Sequence, residues 1–129
     1  MILIVGGAYQ GKEAFARSLF PDLTWTDGGN CEMEEIFFAQ GILHFHEYVR
    51  RAMKEKRDLS QLAEQLLSAE RLLEEERVIV TDEIGYGIVP MDAFDREYRE
   101  KTGRICTELA SGASKVYRVI CGIGTVIKE

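Results

Sequence analysis

Near the amino terminus, the run Gly6-Gly7-Ala8-Tyr9-Gln10-Gly11-Lys12-Glu13 has the residue types needed to hold a polyphosphate. Its glycines let backbone N–H groups approach an anion, a helix beginning at Lys12 adds its positive end, and the lysine can reach the β and γ phosphates. The spacing is that of G-x-x-x-x-G-K, whose next residue is normally Ser or Thr because that hydroxyl helps to hold Mg²⁺. Here the next residue is Glu13. A carboxylate can coordinate Mg²⁺ directly, but it also sets negative charge beside the phosphates, so weakened nucleotide binding is expected. The plainer alternative is a tight strand-to-helix turn carrying a surface lysine.

Further carboxylates follow short apolar runs. Asp27 and the pair Asp82-Glu83 are placed to coordinate a metal through water or to deprotonate an attacking hydroxyl, although acidic residues after strands also cap helices. Function is preferred for Glu83, and Asp27 stays open between the two readings. The candidate catalytic set is therefore Lys12, Glu83 and Asp27. Gly6, Gly7, Ala8, Tyr9, Gln10, Gly11, Lys12 and Glu13 are the nucleotide-binding candidates, with Glu13 and Asp27 for Mg²⁺ accompanying ATP or GTP. His44 and His46 stand two apart in a segment that reads as helix, which points them in different directions and excludes an i, i+4 metal pair. They read as surface or packing residues. Cys31, Cys106 and Cys121 are odd in number and share no C-x-x-C spacing, so they are expected to be reduced, mostly buried thiols.

The elements that must position these groups alternate. Residues 2–5 form an aliphatic run suited to a strand buried on both faces, and residues 12–20 read as a helix that Pro21 ends. Residues 23–26 are a short strand candidate before a turn at 27–30. Residues 31–56 carry Phe38, Ile42, Phe45, Val49 and Met53 at intervals of three or four, the pattern of a long amphipathic helix weakened by Gly41. A second helix is expected from Asp58, capped by its carboxylate with Gln61 three residues on. A strand at 78–80, a helix over 92–111 capped by Gly112, and strands at 116–121 and 125–127 hinged at Gly122-Ile123-Gly124 complete the order. Alternation of this kind predicts an open, mostly parallel α/β sheet with ligands outside the carboxyl ends of its strands.

Composition limits the partners. The chain has 129 residues, 46% of them hydrophobic, which fits one domain, residues 1–129, with a single core. A net charge of −6 gives no basic stripe for nucleic acid. No run is apolar enough for a membrane span, and the absence of a basic n-region points to a cytoplasmic address.

At residues 78–90, VIVTDEIGYGIVP, the sequence resembles the bifunctional adenosylcobinamide kinase and adenosylcobinamide-phosphate guanylyltransferase family of cobalamin biosynthesis. That family has T-N-E-V-G-x-G-I-V-P there, then a helix with R-x-x-x-G-R and a final V-S-G-I-x-x-x-x-K, similar to Arg99 to Arg104 and to Ile120 to Lys128. Its amino terminus, M-I-L-V-T-G-G-A-R-S-G-K-S, looks like Met1 to Glu13. The resemblance implies a P-loop NTPase-like three-layer sandwich with a mostly parallel central sheet. It also implies phosphoryl transfer from ATP or GTP to a cobinamide, a substrate loop containing Gly85, Gly87 and Pro90, and a homo-oligomer. The family goes on to transfer GMP through a guanylylated histidine. Its second strand followed by that histidine and paired arginines has no counterpart in residues 20–31, and His46 with Arg50 and Arg51 shows only a superficial likeness. Guanylyl transfer is expected to be lost, with His44 and His46 carried away from the glycine loop by the long helix. The alternative to a reduced kinase is a non-catalytic nucleotide- or phosphate-binding partner protein with a degenerate P-loop.

Overall fold

The computed structural model describes residues 1–84 and 92–129. Strand β1 (Ile2–Gly6) feeds the glycine loop and helix α1 (Lys12–Leu19), followed by β2 (Trp25–Asp27), a 3₁₀ turn at Met33–Phe37, β3 (Gly41–Leu43) and α2 (Phe45–Lys54). Helix α3 (Leu62–Ala69) leads to β4 (Val78–Asp82). Helix α4 (Ala93–Gly112) and the hairpin β5 (Lys115–Ile120) and β6 (Ile123–Lys128) close the order.

The six strands form one sheet in the order β2-β3-β4-β1-β5-β6, parallel throughout except for the antiparallel edge strand β6. Side chains alternate across it as the strand period of two requires. Leu3, Ile42, Ile79 and Val116 point into the larger core with α2, α3 and α4, whereas Ile4, Leu43, Val78, Val80 and Val119 meet Phe15 and Ala16 of α1 on the other face. This is the expected α/β three-layer sandwich. Because β1 and β4 run side by side with Gly6 opposite Asp82, the glycine loop and the end of β4 leave the sheet at the same edge.

The long helix expected over 31–56 does not exist. Its span holds the 3₁₀ turn, β3 and α2. Two non-local contacts break it. Gly41 lies against Trp25 so closely that a β-carbon would come within 2.6 Å of the indole, which pairs this segment with β2. Arg77, fully buried, donates from Nη1 to the carbonyls of Ile36 and Ala39 and from Nη2 to that of Phe37, satisfying the acceptors of a finished turn. Phe38, assigned to the buried stripe, is exposed.

Smaller differences are local. Asp58 accepts from the Ser60 N–H in a turn, and α3 begins only at Leu62. Gly112 is the last residue of α4 and packs on Leu67, with Ala113 extended after it. Asp92 caps α4, accepting from the Asp95 N–H at 2.7 Å. The β5–β6 turn is Cys121-Gly122, both with positive φ, as a two-residue hairpin of primed type needs. Cys121 is thus exposed, Cys31 buried and Cys106 intermediate. Among the described residues no helix is long and apolar enough to cross a membrane.

Candidate functional site

The cleft at this edge has a volume of about 420 Å³ and is walled by residues of the glycine loop, the start of α1, the β3–α2 junction and the end of β4. Gly11 turns the loop into α1 with φ 83, a conformation that favours glycine. Gln10 fastens the loop to the hairpin: its carbonyl accepts from the Gly122 N–H at 2.7 Å and its side-chain oxygen from the Cys121 N–H at 2.8 Å. Tyr9, at the loop tip, has φ 60 and a fully exposed ring.

Under the loop lies Lys12, only 8% exposed. Its Nζ donates to the Gly7 carbonyl at 2.7 Å and pairs with Asp82 Oδ1 at 2.7 Å. On the other side of Asp82 stands His46, in the first turn of α2 and buried. The Asp82 backbone N–H donates to His46 Nδ1 at 3.1 Å, which places the imidazole hydrogen on Nε2, 3.4 Å from Asp82 Oδ2. Burial pushes the His46 pKa down, and the nearby Asp82 and Glu47 carboxylates offset this only in part.

At the rim, His44 follows β3 and precedes α2 in a left-handed conformation, φ 53. Its Nδ1 is 3.0 Å from Asp27 Oδ1 and its Nε2 is 3.8 Å from Glu13 Oε1, while Glu13 Oε2 takes the Arg17 Nε at 3.2 Å. Asp27 Oδ1 also accepts from the Gly29 N–H at 2.7 Å. Burial raises the Asp27 pKa, but the Gly29 and His44 hydrogen bonds and the His44 and Arg51 charges outweigh it, leaving the carboxyl below its ordinary range.

A family model described as cobinamide kinase / cobinamide phosphate guanyltransferase matches residues 36–127, most of the chain. The chain belongs to that family. The matched span includes His44, His46, Asp82 and Glu83 and begins after the glycine loop. Two relatives named bifunctional adenosylcobalamin biosynthesis protein CobU, from Escherichia coli and Salmonella typhimurium, are each 45% identical over 51 residues. Each match covers 40% of this chain and 28% of the relative, so the chain spans under a third of the curated proteins it matches.

Within this family member the sequence-predicted residues divide. Ala8, Tyr9, Gln10, Gly11, Lys12 and Glu13 line the cleft. Glu83 does not. It forms a fork with Arg118, Oε1 to Nε at 2.8 Å and Oε2 to Nη2 at 3.2 Å, while its backbone N–H holds the Gly6 carbonyl at 2.7 Å. The carboxylate inside the cleft is Asp82, one residue earlier. Gly85, Gly87 and Pro90 lie outside the described residues. Glu13 and Asp27 flank His44, one beside each ring nitrogen. Among the described residues no group of three or more His, Cys, Asp or Glu gathers to hold a metal.

The expectation that His44 and His46 lie away from the glycine loop is overturned: both line the cleft with it. The arginines beside them are engaged elsewhere. Arg51 donates to the carbonyls of Gly28 at 2.8 Å and Cys31 at 2.6 Å, and Arg50 lies over the rings of Phe94 and Tyr98. Sequence reasoning named Asp82 only together with Glu83, preferring Glu83, and read His44 as a surface or packing residue. What singles out Asp82 is its pairing with Gly6 of β1, which no local signal announces, and no signal for His44 exists while its segment reads as helix.

Proposed function

We propose that the chain is a nucleoside-triphosphate-dependent phosphotransferase of the cobinamide kinase type. The observation that carries this reading is the Lys12 ammonium under the glycine loop, held between the Gly7 carbonyl and Asp82 at the floor of the cleft. Loop N–H groups and the α1 start supply fixed partial positive charge for phosphate, and Lys12 supplies a full one. Asp82 then releases a cation already directed at the anion.

The donor set suits Mg²⁺ brought in with ATP or GTP, since that ion keeps several waters and needs only one or two carboxylates besides the phosphates. Asp82 would hold it through water, and the ion would neutralise charge on the phosphates. The cobinamide acceptor and self-association come into the proposal from the family resemblance.

Purified protein titrated with ATP and with GTP, with and without Mg²⁺, tests the reading. Micromolar to millimolar binding that Lys12→Ala weakens at least tenfold is the expected result, and unchanged affinity in that variant would move the site elsewhere. Transfer of γ-labelled phosphate to cobinamide separates the kinase from a binding partner protein.

Guanylyl transfer is absent from this proposal on electrostatic grounds. That reaction needs cations around the α-phosphate during displacement at a histidine. Arg50 and Arg51 serve the aromatic rings and the 28–31 turn instead. GTP labelled at the α-phosphate should leave no acid-sensitive label on the protein; a stable label on His44 or His46 would restore the bifunctional reading.

A further inference from the structure

We infer that His44 is the proton acceptor of this cleft, aligned by Asp27 and flanked by Glu13. The inference rests on the phosphotransferase reading above and adds the group that activates the acceptor's hydroxyl.

The backbone gives the first reason. His44 holds φ 53 at the β3–α2 junction, a left-handed conformation that costs a non-glycine residue about 1–3 kcal/mol and that reverses the chain from β3 into α2 beside the cleft. The imidazole lines the cleft together with Lys12 and Asp82 and is 46% exposed, open to a ligand.

The second reason is the state of the ring. Asp27, kept ionised by the Gly29 N–H and by His44 against its own burial, accepts at Nδ1 from 3.0 Å. A carboxylate there fixes the hydrogen on Nδ1 and leaves the Nε2 lone pair on the side of Glu13, which lines the cleft. His46 shows the opposite arrangement, with Nδ1 occupied by the Asp82 N–H and the hydrogen on Nε2 directed at a carboxylate. Only His44 of the two offers an unshared pair.

The third reason is Glu13. Its Oε1 is 3.8 Å from His44 Nε2, outside hydrogen-bonding range but close enough to balance charge gained by the ring. The titratable and charged groups around His44 are Asp27 from β2, Glu13 and Arg17 from α1, Glu47 and the His46 ring from α2, and Lys12 and Asp82 in the same cleft. The residue that replaces the motif's hydroxyl thus becomes a partner of the imidazole.

The step balances without a redox partner. The acceptor hydroxyl oxygen forms a bond to the γ-phosphorus while the bond from that phosphorus to the β–γ bridging oxygen breaks. The nucleoside diphosphate leaves with the electron pair, and the hydroxyl proton passes to His44 Nε2 and then to solvent.

His44→Asn and His44→Gly test this, because both residues accept the left-handed backbone and neither takes up a proton. Affinity for ATP should stay within about twofold of wild type. Transfer of γ-labelled phosphate from ATP to cobinamide should fall about 100-fold or more, the usual loss for a removed general base. Added imidazole should restore part of the rate in His44→Gly and none in His44→Asn. Wild-type transfer by His44→Asn would overturn the inference.

Nitrogen-15 NMR of the histidine rings reads the arrangement without turnover. Wild type should show His44 protonated at Nδ1, and Asp27→Asn should shift it toward the other tautomer. An Nε2–H tautomer in wild type overturns the inference even if the kinase is active. A wild type that binds ATP, shows the Nδ1–H tautomer and transfers nothing removes the phosphotransferase reading and leaves the Asp27–His44 alignment standing.

Discussion

Replacing Asp82 by Asn should both destabilise the fold and free Lys12 for anions. Lys12 is nearly buried and its Nζ has Asp82 Oδ1 as countercharge at 2.7 Å. Breaking a fully buried pair costs about 3–5 kcal/mol and an exposed one contributes about 0–1. Asp82 keeps 22% exposure, so water partly compensates the stranded cation and the cost should be about 2 kcal/mol. For a chain of this length that lowers Tm by about 6–8 °C. The substitution also removes the anion that competes for Lys12, so Mg-free tripolyphosphate should bind about tenfold tighter, about 1.4 kcal/mol. At one saturating concentration the ligand should therefore raise the Tm of Asp82→Asn by about 4–6 °C more than that of wild type. Calorimetric melts of both proteins with and without tripolyphosphate measure this, and Lys12→Met controls it, because Asp82→Asn in that background should cost little. An unchanged Tm, or equal ligand shifts in the two proteins, would refute the reasoning.

Arg77→Met should cost about 3 kcal/mol by urea denaturation, because three buried carbonyls lose a charged donor, and a loss under about 1 kcal/mol would sink the capping account. Arg77→Lys should not recover it, since one ammonium cannot serve carbonyls now reached by two nitrogens of a rigid fork. His46, depressed below its ordinary 6.5 by burial, is protonated sooner in the unfolded chain, so stability present above pH 6.5 should decline as pH falls from there toward the folded value. His46→Asn keeps an acceptor for the Asp82 N–H and should flatten that decline; equal slopes between pH 7 and 5.5 would show that His46 does not carry it. Asp27 acts in a lower window, its stabilisation being lost as pH falls below 3.8 through its lowered folded value. Glu13→Ser should tighten Mg-ATP binding by removing a negative charge from the loop, and an unchanged titration would show the carboxylate turned away from the phosphates.

What could be read from the sequence was local. A buried aliphatic strand, a glycine loop and a helix follow one another in β1 and α1, and each is specified by neighbours within a few residues. The helical spacing of Phe94, Tyr98, Ile105 and Leu109 likewise announces α4. Residues 31–56 misled because a spacing of three or four was assembled across separate elements: Phe38 follows the 3₁₀ turn, Ile42 is in β3, and only Phe45, Val49 and Met53 share α2. What divides them is remote in sequence, Trp25 against Gly41 and Arg77 against the 36–39 carbonyls. The choice between Asp82 and Glu83 was also out of reach. Successive strand residues point to opposite faces, and only the pairing of Gly6 with Asp82 decides which carboxylate meets Lys12.

The residue that departs from the phosphate-loop motif and the segment that departs from the helical reading meet at one place. A carboxylate at position 13 would oppose phosphate by Coulomb repulsion if it stood alone. In the folded chain Arg17 takes one of its oxygens, so a guanidinium moderates the field it sends into the cleft, and His44 stands 3.8 Å from the other. His44 can stand there only because β3 ends the run of Gly41, Ile42 and Leu43 at the sheet edge and the chain reverses through φ 53 into α2. A continuous helix over the same residues would have left Glu13 without that partner and Asp27 without the ring it orients. The unusual loop and the interrupted helix are therefore one feature: the strand brings the histidine to the carboxylate that the motif would otherwise exclude.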